Sequence, residues 1–583
     1  MIKKLLIKKA FIVACLSMLF TACSDDFLNK VPLDSINSDL VFTDKALVQA
    51  NLNNLLGRLP SGQYNGGSAG YGNNYMLASI CDEARAKSGW IPANNVIIAG
   101  SLSPSNTAGF GNWNSSYSNI RVANDIIKGL ETSPLDEEFK AGIANQARFM
   151  RAIFYFDLVR RYGGVPLVKE AQELTEDSDE LFIPRSSQAE SYAYISAELE
   201  AITDMLPDLS ESPSGSITKQ AAIALNARTL LYAGQFSAAA AAADRLITGG
   251  DNDGLDLFGA NPATADEAES NLRELYLSHG GNPETILEKL FDNEIRWHQF
   301  GRGNWPLRWR SGNGGQTCPV QELVDDFQMV ENGLDIENPA SGYDPDFPYD
   351  GRDPRFYVNI FYHGSEGLEG IAPSQGEPFI DMEWNTTGAF IEGPGPAKNG
   401  LASITGYLVK KFADPSDGFG PERSDLSYQN IRFAEVLLIY AEAENEVNGP
   451  SAKVYDAVNR IRRRAALPDL APGLSKDEMQ EAIRQERRIE LVFENHRYFD
   501  LIRWGIAEEV LNGYQPKGMR VERRPGAPSK DDVAQIFDPL QLTYTPFDVL
   551  GRQQTFPASN NLLPIPQSEI DKFPTQLEQN PGY

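Results

Sequence analysis

The chain has 583 residues, of which 42% are hydrophobic and 10% aromatic, and this composition predicts a folded globular protein. Its formal net charge of −28 argues against nucleic-acid binding, because contacts to phosphates require a basic surface. The four histidines form no His-x-x-x-His pair and the cysteines form no Cys-x-x-Cys pair, which argues against a zinc site.

The first 22 residues have the layout of a bacterial secretory signal peptide. Four lysines precede an apolar run from Ala10 to Phe20. This run is far shorter than the roughly 20 residues that a membrane-spanning helix needs. Cys23 follows Leu-Phe-Thr-Ala, a pattern that resembles a lipobox, in which the cysteine is acylated and begins the mature chain. We therefore predict a signal peptide over residues 1–22 and a lipid anchor at Cys23.

The N-terminal part of the mature chain, residues 23–250, is predicted to be helical. Apolar residues recur at helical spacing. This pattern is most regular over residues 137–162, and Gly163-Gly164 ends the predicted helix there. The last two predicted helices meet at Ala233-Gly234 and resemble a tetratricopeptide helix pair, since small residues at the turn let antiparallel helices approach. The predicted helices cover residues 43–59, 113–130, 137–162, 188–205, 219–232 and 237–247.

The middle of the chain, residues 251–425, is rich in glycine, proline, asparagine and aromatic residues. Residues 60–112 have the same character. Long irregular segments inside a compact protein are usually functional, so we expect the binding surface here. Short strands are predicted at residues 285–291, 356–362 and 407–412.

The C-terminal part, residues 426–583, again predicts helices, at 431–448, 452–466, 476–494 and 496–511. Within residues 484–490, charges at i,i+3 and i,i+4 spacing predict ion pairs that brace a packed helix. The predicted fold class is mostly α, with tetratricopeptide-like helix pairs assembled from both ends of the chain around a loop-rich insertion.

No catalytic site is predicted. Residues 66–70 match the Gly-x-Ser-x-Gly pattern, but they lie in a glycine- and asparagine-rich loop and not between a strand and a helix, as a nucleophile elbow requires. The 80 acidic residues do not single out a carboxylate pair at the spacing of a glycosidase. We therefore predict a protein that is not an enzyme and that requires no cofactor.

One candidate metal site and one candidate disulfide remain. Asp251, Asp253 and Asp256 alternate oxygen donors around a glycine turn, as calcium loops do, although no downstream glutamate completes an EF-hand. They are the candidate ligands of a structural Ca²⁺. Cys81 and Cys318 are the two cysteines that follow Cys23, and they could pair only if their Cα atoms approach within about 7 Å.

Several sequence blocks together resemble the SusD/RagB family of Bacteroidetes outer-membrane lipoproteins. The blocks are collinear and span nearly the whole mature chain, so the resemblance covers residues 23–583. They are residues 148–167, 322–333, 352–356, 431–443, 486–501, 562–566 and 579–583.

The resemblance implies a non-catalytic protein with a SusD-like, mostly helical fold, anchored by lipid on the cell surface at the outer membrane. It implies capture of an oligo- or polysaccharide and its delivery to a TonB-dependent, SusC-like transporter. Two alternatives stay open: a peptide ligand, as in the RagB branch, and a surface glycosidase. The acidic overall charge favours a neutral glycan over a sulfated or uronic one.

Glycan contacts are predicted in loops that combine aromatic rings with amide and charged groups. Exposed rings match the apolar C–H faces of sugars, and polar side chains bind the hydroxyl groups. Three tryptophans fall within residues 297–309, among glycines and arginines that make joint burial difficult. The predicted glycan-binding residues are Tyr71, Asp82, Arg85, Trp90, Trp297, Asn304, Trp305, Arg308, Trp309 and Trp384.

Overall fold

The computed structural model describes residues 41–61, 77–87, 93–173, 181–292, 294–304, 306, 315–367, 380–384, 403–414, 423–527 and 538–583. In this part of the chain the protein is mostly α-helical, as predicted, with small antiparallel two-stranded sheets. Cys23, the signal peptide and the 66–70 segment lie outside the described residues. Among the described helices, none is long and apolar enough to cross a membrane.

The helices of the N-terminal part lie close to the predicted positions. Asp44, Asp136, Ser187 and Thr218 cap four of them, because each side chain accepts a backbone N–H of the first turn. Gly163, at φ +73°, ends the longest one. The helices are α1 (Lys45–Leu56), α2 (Trp113–Glu131), α3 (Glu137–Tyr162), α4 (Gln188–Thr203), α5 (Lys219–Tyr232) and α6 (Phe236–Ile247).

The middle of the chain contains more helix than predicted. Thr264 caps an unpredicted helix, and Asp353-Pro354 starts a helix where residues 356–362 were predicted as a strand. The aspartate caps that helix and the proline ring fits its first position, which explains the difference. The helices are α7 (Ala265–Tyr276), α8 (Phe300–Asn304), α9 (Gln321–Asp325) and α10 (Pro354–Asn359).

Four antiparallel strand pairs connect these segments. The first pairs β1 (Ala84–Ala86) with β3 (Thr317–Pro319), and the second pairs β2 (Thr285–Lys289) with β6 (Tyr428–Arg432). The third pairs β4 (Ile360–Phe361) with β5 (Leu408–Val409). The last pairs β7 (Lys517–Arg523) with β8 (Leu542–Asp548). Neither this pair nor the β1–β3 pair was predicted.

The C-terminal helices again follow the prediction, except that residues 496–511 form two helices separated at Gly505, whose φ is +73°. They are α11 (Phe433–Asn448), α12 (Ala452–Arg464), α13 (Lys476–Glu490), α14 (Arg497–Arg503), α15 (Ala507–Leu511) and α16 (Gln567–Ile570).

The two helix-rich parts form one scaffold. Helices α2 to α6 pack on one another in series, α6 packs on α11, and α11 packs on α12 and α13. A single hydrophobic cluster, from Val48 to Leu577, draws residues from both parts. This confirms that the helix pairs are assembled from both ends of the chain around its middle.

A buried ionic network joins the middle of the chain to this scaffold. Glu490 of α13 is fully buried and accepts hydrogen bonds from Arg432 and Arg464, and its Oε2 lies 3.2 Å from Nη1 of Arg355. Burial alone would raise the pKa of the Glu490 carboxyl, but the three guanidinium groups hold it well below its usual range. The prediction that the 484–490 run braces a packed helix is confirmed.

Cys81 and Cys318 are both buried and both free, so the candidate disulfide does not form. Each thiol instead points at a nearby backbone carbonyl, that of Ala78 for Cys81 and that of Gly315 for Cys318. Cys318 also packs in a small apolar cluster with Phe361.

Candidate functional site

A polar cleft of about 350 Å³ lies where the N-terminal helices meet the β2–β6 pair. Residues 58–61 after α1, residues 109–119 around the start of α2, and one face of α3 form one side. The ends of β2 and β6 and residues 494–496 between α13 and α14 form the other. Its volume lies at the lower end of the range for small-molecule sites, roughly 300–1,000 Å³.

Some residues that line the cleft adjoin, in sequence, segments in which ligand contacts are predicted. Ser61 and Leu77 line it, and they flank residues 62–76, which contain Tyr71. Lys289, the last residue of β2, also lines it and shortly precedes Trp297 in sequence.

The β1–β3 ladder brings together the ends of two other predicted segments. The Lys87 amide donates to the Gln316 carbonyl at 2.8 Å. Lys87 is followed in sequence by residues 88–92, which include Trp90. Gln316 is preceded by residues 305–314, which include Trp305 and Trp309.

Helix α2 begins at the cleft, and its start is fixed to α3. The Asn112 amide N–H donates to the Tyr162 hydroxyl at 3.1 Å, and its Nδ2 donates to Asp157 Oδ2 at 2.6 Å. Asn112 occupies the N-cap position without making a side-chain cap. Its Oδ1 atom is buried and has no hydrogen-bond partner.

Two more amide groups in the cleft also have an unpaired atom. Asn495 is only 8% exposed, and although its Nδ2 donates to the Tyr428 hydroxyl at 3.0 Å, its Oδ1 has no partner. On β6, the buried Nδ2 of Asn430 has none either. Two free acceptors and one free donor can hydrogen-bond a hydroxylated ligand.

The carboxylates in the cleft already have cationic partners. Asp157 pairs with both Arg160 and Arg161, and although burial opposes it, these guanidinium groups lower the pKa of Asp157 to about 2. Glu494 pairs with Arg432 and Lys411. These two carboxylates therefore remain ionised at neutral pH and serve the protein's own ion pairs.

His496, at the end of the cleft, is held in its neutral form. Burial is the main cause, and the nearby Arg228 and Arg487 guanidinium groups add to it, so the pKa of His496 lies well below its usual value. A neutral imidazole can exchange hydrogen bonds with a ligand but contributes no charge.

Two of the predicted contacts are wrong, because the structure buries them in the scaffold. Asp82 is 5% exposed and pairs with Arg488 and with Arg497, the latter at 2.8 Å. Arg85 is fully buried on β1 and donates to Gln554 Oε1 at 2.8 Å. Strand β1 pairs with β3 inside the protein, which leaves neither side chain open to a ligand.

Asn304 is a third correction. It ends α8, is 3% exposed, and its Nδ2 donates to the Phe300 carbonyl of the same helix at 3.3 Å. Its position within a short buried helix removes it from the surface on which it was predicted.

Two predicted tryptophans are half-buried and carry a guanidinium against the ring. The Arg423 guanidinium lies 4.3 Å from the Trp297 ring centroid. Trp384 lies beside the β7–β8 pair, where Arg520 lies 4.7 Å from its ring and Phe547 packs at 5.4 Å. Such ring–cation pairs can form one side of a stacking surface for a sugar. Tyr71, Trp90, Trp305, Arg308 and Trp309 lie outside the described residues.

The candidate calcium ligands are not gathered into one site. Asp251 pairs with Arg245, Asp253 accepts from Ser210, and Asp256 pairs with Arg460. In the described part of the chain, no group of three or more His, Cys, Asp or Glu side chains could hold a metal ion. The geometry therefore does not support the calcium prediction.

Sequence reasoning missed the polar residues of the cleft. Arg58, Asn112, Lys289, Asn430 and Asn495 come from five separate segments, and none of them was predicted as a ligand contact. Only Asn112 carries a local signal, since asparagine directly before a helix is typical of an N-cap. The others are brought together by the packing of the helices.

Comparison with known proteins agrees with this architecture. A sequence model described as the SusD family matches residues 283–583, and a second, described as "Starch-binding associating with outer membrane", matches residues 26–231. The SusD-like protein P2 of Formosa agariphila is 26% identical over 81% of this chain and 80% of its own length.

Two crystal structures of proteins from Bacteroides fragilis have the same fold. A SusD-like protein has a TM-score of 0.75 at 26% identity and covers 95% of this chain and 100% of its own. A SusD-like carbohydrate-binding protein has a TM-score of 0.71 at 24% identity, with 92% and 100% coverage. With one family model matching more than half of its length, the chain belongs to the SusD family.

Proposed function

We propose that this protein is a non-catalytic binding protein that captures an oligo- or polysaccharide with the polar cleft and with the aromatic residues predicted from the sequence. It would then deliver the glycan to a SusC-like, TonB-dependent transporter. A lipid on Cys23 would hold it at the outer face of the outer membrane, within reach of the transporter. The observation that carries the proposal is the cleft itself, with its amide atoms that have no partner in the described residues.

The chemistry of the cleft suits a sugar. A sugar hydroxyl can both donate and accept, so it can use the unpaired Oδ1 atoms of Asn112 and Asn495 and the Nδ2 atom of Asn430. The half-buried rings of Trp297 and Trp384 suit the apolar face of a pyranose. A peptide would instead need an exposed strand edge or an apolar groove.

The relatives support the same ligand class. The family model over residues 26–231 is described as starch-binding and outer-membrane-associated, and one structural neighbour is described as carbohydrate-binding. The signal peptide and the lipobox-like Cys23 support export and anchoring.

Asp82 and Glu83 are neighbouring carboxylates whose pKa values are shifted in opposite directions, which makes them a candidate catalytic pair. Burial and the neighbouring Asp82 raise the pKa of Glu83 to about 7, whereas Arg488 and Arg497 hold the pKa of Asp82 well below its usual range despite its burial. Such a difference is typical of an acid and base pair. Both side chains are buried, however, and neither lines the cleft, so we propose no hydrolysis.

Calorimetry with a panel of neutral, uronic and sulfated oligosaccharides and with peptide mixtures tests the proposal. We expect at least one glycan to bind, with no release of reducing ends during the incubation. Binding of peptides alone would favour the RagB-like alternative, and reducing ends would favour a glycosidase. A Cys23→Ala variant should move from the membrane fraction to the soluble fraction, and a tagged wild-type protein should co-purify with a TonB-dependent transporter.

A further inference from the structure

Two cations of the cleft have only neutral hydrogen-bond partners in the described part of the chain. Arg58 Nη1 donates to Asn119 Oδ1 at 3.1 Å, and its Nε donates to Asn54 Oδ1 at 3.1 Å. Lys289 Nζ donates to Ser61 Oγ at 3.3 Å. In a chain with 80 acidic and 52 basic residues, two cations without a carboxylate in one cleft are unexpected.

The other charges of the cleft do not offset this excess. Asp157 is a single carboxylate shared by Arg160 and Arg161. Arg228 pairs with Glu435, and Glu494 is matched by cations behind the cleft wall. The cleft is therefore locally positive, although the whole protein is strongly acidic.

Helix α2 adds to this positive potential. It has 19 residues, and Gly111, Asn112, Ser115 and Ser116 at its start all line the cleft. The N-terminal end of a helix carries roughly half a positive charge and favours anions. By itself a helix end does not make a site, but here it points to the same space as Arg58 and Lys289.

A simple anion would not satisfy the cleft. The Asn112 and Asn495 Oδ1 atoms are hydrogen-bond acceptors, and an acceptor placed against an oxyanion is unfavourable. Asn495 is 8% exposed, so its unpaired oxygen loses solvation that a hydroxyl group of a ligand would restore. A ligand that carries hydroxyl donors as well as negative charge suits both kinds of group.

We infer that the cleft binds a sugar unit that bears an oxyanion, either the carboxylate of a uronic acid or a sulfate ester. This inference rests on the proposed glycan-binding function and names the substrate class of that same site. Arg58 and Lys289 would contact the oxyanion, and the asparagine amides would contact the ring hydroxyls. A volume of about 350 Å³ suits the end of a chain better than a long internal stretch. The neutral glycan favoured by the overall charge would then bind more weakly.

The test uses the full-length protein in detergent and matched oligosaccharides. Calorimetry compares oligogalacturonate, oligomannuronate and hyaluronan oligosaccharides with their carboxyl-reduced forms, and sulfated galactan oligosaccharides with their desulfated forms. We expect one acidic member to bind at least tenfold more tightly than its neutral form, with an affinity that falls as salt is added. The carboxylated and sulfated arms identify which oxyanion is recognised.

Variants then assign the preference to the cleft. Arg58→Gln and Lys289→Met should each reduce the acidic-to-neutral preference at least fivefold, because each removes a charge that contacts only the oxyanion. Arg121→Gln removes an exposed arginine of α2 that does not line the cleft, and it should change neither affinity. The melting temperature of each variant checks that the fold is intact.

The outcomes separate the two levels of the proposal. Equal or tighter binding of neutral glycans, or an acidic preference that survives both cleft variants, would overturn the inference and leave glycan capture standing. Failure of every glycan in the panel to bind would overturn the proposed function, and the inference with it.

Discussion

The buried ionic network and the polar cleft use the same residue types in opposite ways. Arg355, Arg432 and Arg464 are fully buried, and each is paired with at least two carboxylates. In the described residues, the side chains of Arg58 and Lys289 donate their hydrogen bonds to amide and hydroxyl groups. The three buried cations serve the scaffold, whereas Arg58 and Lys289 line the cleft without a carboxylate partner and are available to a ligand. Charge partners, and not residue type, distinguish the two regions.

The largest effect is expected from a variant that breaks the buried ionic network. Glu490→Gln would remove one of the two buried carboxylates that Arg432 and Arg464 share, the other being Glu284. The loss of one partner from a buried pair costs about 3–5 kcal/mol. Chemical denaturation would measure the loss in the free energy of unfolding. The matched control is Glu481→Gln, whose exposed pair with Arg484 should contribute less than about 1 kcal/mol. Equal losses for the two variants would contradict the structural role of the network.

Acid should weaken the same scaffold. Burial alone would raise the pKa of Glu442, but mainly Arg503 and its hydrogen bonds lower it to about 2. The pKa of this carboxyl is higher in the unfolded chain. Its contribution to the stability of the fold is therefore complete above about pH 4.5 and is lost as the pH falls towards 2. This carboxyl alone should contribute on the order of 3 kcal/mol at neutral pH. Unfolding measured from pH 6 to pH 2 would check this, and Glu442→Gln should have a flatter profile. Unchanged stability down to pH 3 would contradict it.

Stacking at the aromatic loops should affect binding but not stability. We expect Trp305→Ala, Trp309→Ala and Trp297→Ala each to weaken glycan binding by more than about 1 kcal/mol, because a stacked ring is a typical hot spot. The melting temperature should hardly change. Trp113→Ala is the contrasting variant, since this ring is buried against Tyr162, and it should lower the melting temperature. Intact binding with a large fall in melting temperature would show that a loop tryptophan is part of the core.

The smallest expected effect sharpens the description of the cleft. Burial and the nearby Arg296 lower the pKa of Lys289 to about 8. Its charge is therefore present below pH 8 and lost above it, so affinity for an acidic glycan should fall a few-fold between pH 7 and pH 9.

Few other groups around the cleft titrate in that range. Burial raises the pKa of Tyr428 to about 12, His496 stays neutral, and Asp157 and Glu494 stay ionised. The pKa of Lys411, behind Glu494, is also lowered to about 8, mainly by burial. Lys289→Arg separates the two lysines, because a guanidinium stays charged at pH 9. If the glycan affinity of this variant still falls between pH 7 and pH 9, the pH dependence is due to Lys411.

Most of the helical scaffold could be predicted from the sequence, because the signals are local. Apolar residues repeat along one face of residues 137–162, Asp136 caps the start, and Gly163 ends it. The misses have local explanations too: Asp353-Pro354 starts a helix in a segment rich in strand-forming residues. The β7–β8 pair was not predicted, since a pairing between separated segments leaves little trace in either one.

The candidate site was predicted less well. The sequence indicated aromatic loops, and Trp297 and Trp384, the two of their predicted aromatic contacts that the structure describes, are half-buried. It also placed Asp82 and Arg85 there, because nothing local reveals that Arg488, Arg497 and Gln554 lie against them. The cleft was missed because its polar residues come from distant segments.

The sequence by itself determined the helices, the family and the predicted lipid anchor, since each depends on residues that are close together in the chain. The tertiary structure alone decided which charged groups are neutralised. Ion pairing depends on distances of a few ångströms between residues far apart in sequence, such as Asp82 with Arg488 or Arg228 with Glu435. The overall charge of −28 therefore describes the surface as a whole, and the local excess of cations in the cleft arises only from how the chain is packed.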